Sequence, residues 1–331
     1  MASSSPTSPD LERLERAEVL TAPATAKRML IIVNPYATTM SDRLKHLVVY
    51  ALQGRYDVEA VDTQRRGHAT ELCREAAAEG YDVVVAFGGD GTVNEAANGL
   101  AGSDTPLTCL PGGATNVYCR MLGIPNDVVD ATEHLLRVAD DWRPREVDLG
   151  SVNGRLFTFS AGAGLDASVV RRVDAHPRLK AQYGPVFYTA SAMGVFLRRY
   201  VVNPPKLIVE AGGEEAVTGV SAFVQNADPY TYFRARPIEL VDGVDLDSGD
   251  LGAAVLKRAS AIDLPTVTWR AMSKRAKIAR HRQVTAYTHV QRLTVRSADG
   301  RPVPVQVDGD FVGTHDEAEF TVRPRALTIV A

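Results

Sequence analysis

Val83-Val84-Val85-Ala86-Phe87-Gly88-Gly89-Asp90-Gly91-Thr92 is the stretch that decides the fold. Five consecutive apolar residues are short for a buried helix and suit a strand covered on both faces. Two glycines follow at once, and then Val93, Ala96, Ala97 and Leu100 recur at helical spacing. Strand, glycine turn and helix in that order put the turn at the carboxyl end of a strand, where open α/β sheets bind ligands. Glycine there lets backbone N–H groups approach a phosphate, and the helix N-terminus favours negative charge. Asp90 is itself an anion, so it suits Mg²⁺, a ribose hydroxyl or a moving proton better than a phosphate oxygen.

Outward from this stretch the same design repeats. Met29-Leu30-Ile31-Ile32-Val33 reads as a buried strand, and Leu44, Leu47, Val48 and Ala51 form a helical stripe. Val58 and Ala60 mark a short strand, and Ala69, Leu72, Ala76 and Ala77 a second helix. Downstream, the strand Pro106–Leu110 runs into Pro111-Gly112-Gly113-Ala114-Thr115-Asn116, with a helix expected from about Thr115. Two glycine loops on nearby strand ends can grip one polyphosphate from two sides. Asn34-Pro35 after the first strand reads as a turn that can also touch a nucleotide. Thr63 and Gly67-His68-Ala69 follow the second strand, with His68 a helix-start residue. Residues 27–149 are therefore expected to form a doubly wound α/β nucleotide-binding domain.

After residue 150 the rhythm changes. Helical stretches near 167–175, 185–200 and 262–279 alternate with strands at 155–160, 206–211, 219–225, 251–256, 292–297, 303–307 and 320–324. This predicts a mostly antiparallel β-rich domain over 150–325. Ala326–Val330 reads as a last strand that could return to the first domain. Asp308-Gly309-Asp310 is a common hairpin turn, and its two carboxylates could also serve a general base or Mg²⁺. Asp242, Asp245, Asp247 and Asp250 suit a hard cation or a solvated loop. Phe157–Asp166 reads as a glycine-rich tight turn.

Composition narrows the partners. A chain of 331 residues suggests two domains, and a net charge of -3 provides no global field to recruit nucleic acid. Cys73, Cys109 and Cys119 form neither a C-x-x-C pair nor zinc spacing, which fits a reduced cytoplasmic setting. Residues 1–26 are polar and charged, unlike a signal peptide, and read as a disordered tail. No apolar run approaches the roughly 18 residues that span a bilayer. Arg270, Lys274, Arg275, Lys277, Arg280 and Arg282, with Trp269, Met272, Ala276 and Ala279 near one helical face, could dock on anionic lipid.

Taken together, Asn34-Pro35, Thr63 with Gly67-His68-Ala69, Gly88–Thr92 continuing through Asn94-Glu95, and Asp308-Gly309-Asp310 resemble the motifs of the diacylglycerol kinase catalytic family. That family includes sphingosine-type kinases and soluble bacterial lipid kinases. The resemblance spans about residues 27–330. It implies an α/β nucleotide domain followed by a β-rich lipid domain, with the site in the cleft between them. It implies ATP and Mg²⁺, a diacylglycerol-like acceptor met at a membrane surface, a phosphatidic acid-type product, and a cytoplasmic protein with peripheral membrane association. It leaves room for a homodimer.

By this resemblance Asn34, Pro35, Thr63, Gly88, Gly89, Asp90, Gly91, Thr92, Asn94, Gly112, Gly113, Thr115 and Asn116 hold the nucleotide. Asp310, at the third position of the family's D-G-E, is the proton acceptor, with Asp308 and Asp90 the other catalytic carboxylates. Asp245, Asp247 and Asp250 are similar to a structural Mg²⁺ loop. The chain departs from the family pattern at Ala114, where a threonine is usual, at Asp310, where glutamate is usual, and at Ser248, in place of an aspartate. Two other readings share features: an NAD kinase also uses a G-G-D-G-T turn, and a non-catalytic nucleotide-binding regulator would explain the departures. The second glycine loop and the late D-G-D speak against the NAD kinase.

Overall fold

The computed structural model describes residues 26–331 apart from 39, 177–178, 180–186, 189, 234–235 and 274. The tail before residue 26, Lys274 and part of the helical stretch expected at 185–200 lie outside the described residues. The chain forms two compact units. One takes the residues up to Val147 together with Ala326–Ala331, and the other takes Asp148–Arg325.

The first unit alternates strands and helices. In chain order they are β1 (Lys27–Val33), α1 (Asp42–Gln53), β2 (Tyr56–Asp62), α2 (His68–Ala78), β3 (Val83–Gly88), α3 (Asp90–Leu100), β4 (Leu107–Pro111), α4 (Val117–Met121) and α5 (Val128–Val138). The strands lie in the order β2-β1-β3-β4, every neighbour parallel. All of β3 and β4 is buried, as continuous apolar runs in a two-sided sheet must be. Helix α1 starts where the Ser41 hydroxyl accepts the Leu44 N–H (3.2 Å), and it buries Leu44, Val48, Ala51 and Leu52. Asp127 caps α5 in the same way, accepting from Val129 and Asp130. The chain turns from β2 on one side of β1 to β3 on the other, so the switch point of the sheet lies between β1 and β3.

The second unit is rich in β-strands. It opens within β5 (Arg145–Val152) and continues through β6 (Arg155–Phe157), β7 (Ser160–Gly164), α6 (Leu165–Asp174), a π-helical turn at Phe196–Val201, β8 (Leu207–Ala211), β9 (Val217–Gly219) and β10 (Ser221–Gln225). A small hairpin, β11 (Thr231–Phe233) and β12 (Arg236–Ile238), precedes β13 (Leu251–Leu256), α7 (Leu264–Ala271) and a 3₁₀ turn at Ile278–Arg280. The chain ends with β14 (Val284–Val290), β15 (Arg292–Ser297), β16 (Val303–Val307), β17 (Asp310–His315) and β18 (Glu317–Ile329). One antiparallel sheet has the order β14-β13-β10-β7-β16-β17. A second ladder runs β18-β15-β8-β9. Phe157, Val209, Val224, Leu293, Val305 and Phe320 come from both and bury together in one core. Each such side chain stabilises by about 1.5–3 kcal/mol over an exposed one. This is the mixed α/β architecture, parallel sheet plus separate antiparallel β-rich sheet, that the two rhythms of the sequence predict.

Three elements differ from the expectation. Residues 320–324 and 326–330 belong to one strand, β18, which ends in the first unit with Ile329 beside Leu107 of β4. The stretch 155–160 breaks at Thr158 and Phe159, whose N–H groups turn to the Asp308 carboxylate. Residues 262–279 are not one helix. Helix α7 stops at Ala271, the Arg270 guanidinium donates to the Lys277 carbonyl (3.1 Å), and the Lys277 ammonium is held by Glu239 (2.7 Å) and Asp242 (2.8 Å). Among the described residues no helix is long and apolar enough to cross a membrane.

Candidate active site

Every nucleotide-site residue read from the first half of the sequence stands at a strand end of the parallel sheet or at the start of the helix that follows. Gly88 closes β3 beside Pro111 of β4, and the Gly112 N–H donates to the Gly88 carbonyl (2.8 Å). The two glycine loops thus run on as a continuation of the ladder. A Cβ on Gly112 would lie 2.9 Å from the Gly88 Cα, and one on Gly113 would lie 2.8 Å from the Gly89 Cα. Backbone packs on backbone here, and only glycine permits it. Helix α3 begins at Asp90 with Gly89 as its cap, a residue with no side chain to satisfy the first N–H groups.

Side chains fasten the loops to each other. Asp90 Oδ1 accepts the Tyr118 N–H at the start of α4 (3.1 Å). Asn116, the cap of α4, sits in the left-handed region (φ 49°), and the helix itself starts at Val117, two residues after the start expected near Thr115. Its Oδ1 accepts the Gly113 N–H (2.8 Å), and its Nδ2 donates to the Gly113 carbonyl (2.9 Å) and to Asn126 Oδ1 (2.9 Å). Ala114 is exposed and Thr115 half-buried on the loop that Asn116 closes. Asn34 Oδ1 accepts the Tyr36 N–H (3.0 Å), which makes Asn34-Pro35 a side-chain-closed turn, while its Nδ2 donates to Thr92 Oγ1 (3.3 Å). Asn94 and Thr92 are buried in α3. Cys109, in β4 before the second loop, is fully buried, and its thiol is pushed well up by burial, then by its bond to Cys119 and by the Asp90 charge.

The Thr63 N–H donates to the Val33 carbonyl (2.8 Å), which keeps the β2 end beside the β1 end. His68 Nδ1 accepts the Gln64 N–H (3.1 Å), an assignment to turn-building rather than chemistry. Glu95 is the residue whose work the sequence reading left unassigned. Its carboxylate accepts from Gly67 N–H (2.8 Å) and Ala69 N–H (3.3 Å), and so caps α2 from a neighbouring helix. The signal was present: α2 starts on a glycine, which has no capping side chain, so the acceptor had to come from elsewhere.

The second unit brings Asp308 and Asp310 into one hairpin. Asp308 (φ 48°) and Gly309 (φ 83°) form the two-residue turn between β16 and β17, and Asp310 opens β17. Asp308 is buried. Its carboxylate accepts from Thr158 N–H (2.7 Å), Thr158 Oγ1 (2.9 Å), Phe159 N–H (3.1 Å) and Ser160 N–H (3.0 Å). Asp310 is half-buried. Asp166, in the first turn of α6, accepts on Oδ2 from Tyr230 Oη and Gln306 Nε2, both at 2.7 Å. Burial raises the Asp166 carboxyl above its usual range, against the pull of those two hydrogen bonds.

The acidic loop does not gather its carboxylates. Asp242, Asp245 and Asp247 are exposed, while Asp250 is buried with Oδ2 on His289 Nδ1 (2.5 Å) and Oδ1 without a hydrogen-bond partner. Among the described residues no three His, Cys, Asp or Glu side chains converge as a metal shell.

Residues 28–152 match the family model described as the diacylglycerol kinase catalytic domain. The chain is 28% identical over 294 residues to a diacylglycerol kinase of Bacillus subtilis (strain 168), covering 87% of this chain and 91% of that protein. It is 27% identical over 293 residues to a diacylglycerol kinase of Staphylococcus aureus (strain MRSA252), covering 87% of each. The crystal structure of a diacylglycerol kinase from Bacillus anthracis str. Sterne covers 93% of this chain and 98% of its own at a TM-score of 0.69, with 19% identity, a likeness of fold. By these matches the chain is a homologue of the diacylglycerol kinases, and its residues 28–152 match the model of their catalytic domain.

Proposed function

We propose that this protein is a lipid kinase that transfers the γ-phosphate of ATP to the hydroxyl of diacylglycerol or a closely related lipid. It is a phosphotransferase with an alcohol acceptor. The observation that carries this reading is the pair of glycine loops packed backbone to backbone at the ends of β3 and β4, in a chain related to diacylglycerol kinases along most of its length. The first unit is assigned the nucleotide, and the second the lipid and the base.

Phosphoryl transfer depends on position and on neutralised charge more than on covalent help. Backbone N–H groups of the two loops and the start of α3 hold the phosphates, and Asn34, Thr63, Thr92, Asn94, Thr115 and Asn116 shape the loops around them. A cation that arrives with a nucleotide needs only one or two protein carboxylates, and Asp90, which opens α3, fits that need. Mg²⁺ bound there supplies charge neutralisation at the transferred group. Asp310 accepts the proton as the lipid oxygen attacks phosphorus and the bond to the departing ADP oxygen breaks. Asp308, with four donors on its carboxylate, holds the turn.

We further assign membrane contact to α7 and its flanks. Trp269 on α7 is 60% exposed and Ile262, in the turn before it, is 87% exposed, and Lys257, Arg258, Arg275 and Arg280 of the flanking segments are exposed as well. Lys277 and Arg282, read from sequence as lipid contacts, are instead engaged by Glu239, Asp242 and Asp263. The full chain is expected to sediment with phosphatidylglycerol vesicles, and Trp269→Ala with Ile262→Ser to weaken this. Unchanged sedimentation rejects the surface.

The test of function uses labelled ATP, Mg²⁺ and a panel of lipids in mixed micelles, with NAD as a separate acceptor. Label in a lipid, reduced about a hundredfold or more in Asp90→Asn and Asp310→Asn at unchanged melting temperature, is the expected result. Label in NAD assigns the chain to that other chemistry. Full turnover in both variants overturns the site.

A further inference from the structure

Asp310 is bracketed. The residue before it, Gly309, donates its N–H to Gln306 Oε1 (2.9 Å). The residue after it, Phe311, donates its N–H to Asp174 Oδ2 (3.1 Å). Gln306 is buried, and its Nε2 donates to Asp166 Oδ2 (2.7 Å) and to Tyr230 Oη (3.0 Å). Tyr230 Oη in turn donates to the same Asp166 oxygen (2.7 Å). The carboxamide therefore has one orientation that satisfies all its neighbours: nitrogen toward two acceptors, oxygen toward the turn. Asp166 and Asp174 are the first-turn and last residues of one helix, α6. Two carboxylates of a single rigid element thus reach the hairpin on both sides of Asp310, one directly and one through Gln306.

We propose that α6 sets the place of the Asp310 carboxylate, with Gln306 and Asp174 as the positioning residues. The inference rests on the assignment of Asp310 as proton acceptor. A two-residue turn with both members in the left-handed region fixes the hairpin but leaves the first residue of the next strand to its own side-chain bonds. Clamping the amide on each side of that residue removes the remaining play. A shift of about 1 Å in a reacting group lowers turnover by about a hundredfold.

The experiment measures kcat and the KM for ATP of the full chain on diacylglycerol in mixed micelles. The variants are Gln306→Leu, Asp174→Ala, Asp174→Asn and Asp310→Asn, with the first two also placed in the Asp310→Asn background. Gln306→Leu and Asp174→Ala are each expected to lower kcat about tenfold or more, with KM for ATP within about twofold. Asp174→Asn keeps an acceptor oxygen for the Phe311 N–H and is expected to restore most of kcat. In the Asp310→Asn background the two losses are expected to vanish, because their route to the chemistry is gone. Losses that multiply in that background, or a normal kcat in both single variants beside a slow Asp310→Asn, overturn the positioning role. Full turnover in Asp310→Asn itself removes the proton-acceptor reading and the positioning role with it. Where Gln306→Leu does not fold, Gln306→Glu keeps the acceptor for Gly309 but faces Asp166 with a second carboxylate. Its loss of kcat is expected to be reversed by Asp166→Asn, and failure of that reversal counts against the proposal.

Discussion

Gly113 owes its identity to a distance. With a Cβ placed 2.8 Å from the Gly89 Cα, Gly113→Ala forces the two loops apart. ATP affinity by calorimetry is expected to fall about tenfold or more, a loss of about 1.4 kcal/mol. Gly102→Ala is the control: its Cβ meets open space at φ 80°, so it costs some stability and leaves affinity alone. Asp308 is the opposite kind of residue, fixed by its partners. Asp308→Ala strands four donors, two of them more than 149 positions away in sequence. The loss is expected to be about 3 kcal/mol or more in denaturant unfolding. The glycines could be read directly, because a glycine pair between a strand and a helix has few other reasons to exist. Asp308 could not be told from an ordinary Asp-Gly turn, because its four donors sit near Thr158 and nothing in the local sequence points there. Glu95 left half a signal: the glycine that starts α2 calls for an acceptor from elsewhere, but nothing near it says which residue supplies it.

At the level of elements, the strands with one physical cause were the readable ones. β1, β3 and β4 are continuous apolar runs because both faces of a parallel sheet are covered. Helix α7 was overdrawn, because the composition of residues 272–277 is compatible with a helix. Lys277, beyond its end, pairs with Glu239 and Asp242, and no window along the chain contains both sides of that interaction. The same neighbourhood carries a pH response. Asp228 follows β10, and burial pushes its carboxyl up to about 6. Its bond from Gln225 lowers it, Glu239 and Asp242 raise it, and Lys277 lowers it. The folded pKa therefore lies above the unfolded value of 3.8, and between about pH 4 and 6 the folded chain holds a proton that the unfolded chain has released. Stability from this group is lost as pH rises through that window. Asp228→Asn, which keeps an oxygen for Gln225, is expected to raise the melting temperature above pH 6. That gain is expected to fade as pH falls toward 4. A gain that is constant with pH would assign it to something other than ionisation.

For the molecule as a whole, the division into an alternating half and a β-rich half was plain from the change of rhythm near residue 150. The return of the last strand was not decided by it. Leu327, Ile329 and Val330 are buried in the first unit, and the Val330 N–H donates to the Leu107 carbonyl (3.1 Å). Burying three such side chains contributes about 1.5–3 kcal/mol each, comparable with the 5–15 kcal/mol by which a whole domain is stable. Deleting residues 326–331 is therefore expected to leave β4 open to hydrogen exchange and the first unit sensitive to protease. Native-like protection of β4 in the shortened chain would contradict this. The arrangement also has a consequence in time. An N-terminal domain ordinarily folds while the rest of the chain is still being made. Here the first unit, although encoded first, lacks its closing strand until residue 330 has left the ribosome. From the making of Leu107 to that of residue 330, about two-thirds of its synthesis, the newborn chain must carry an unfinished sheet edge.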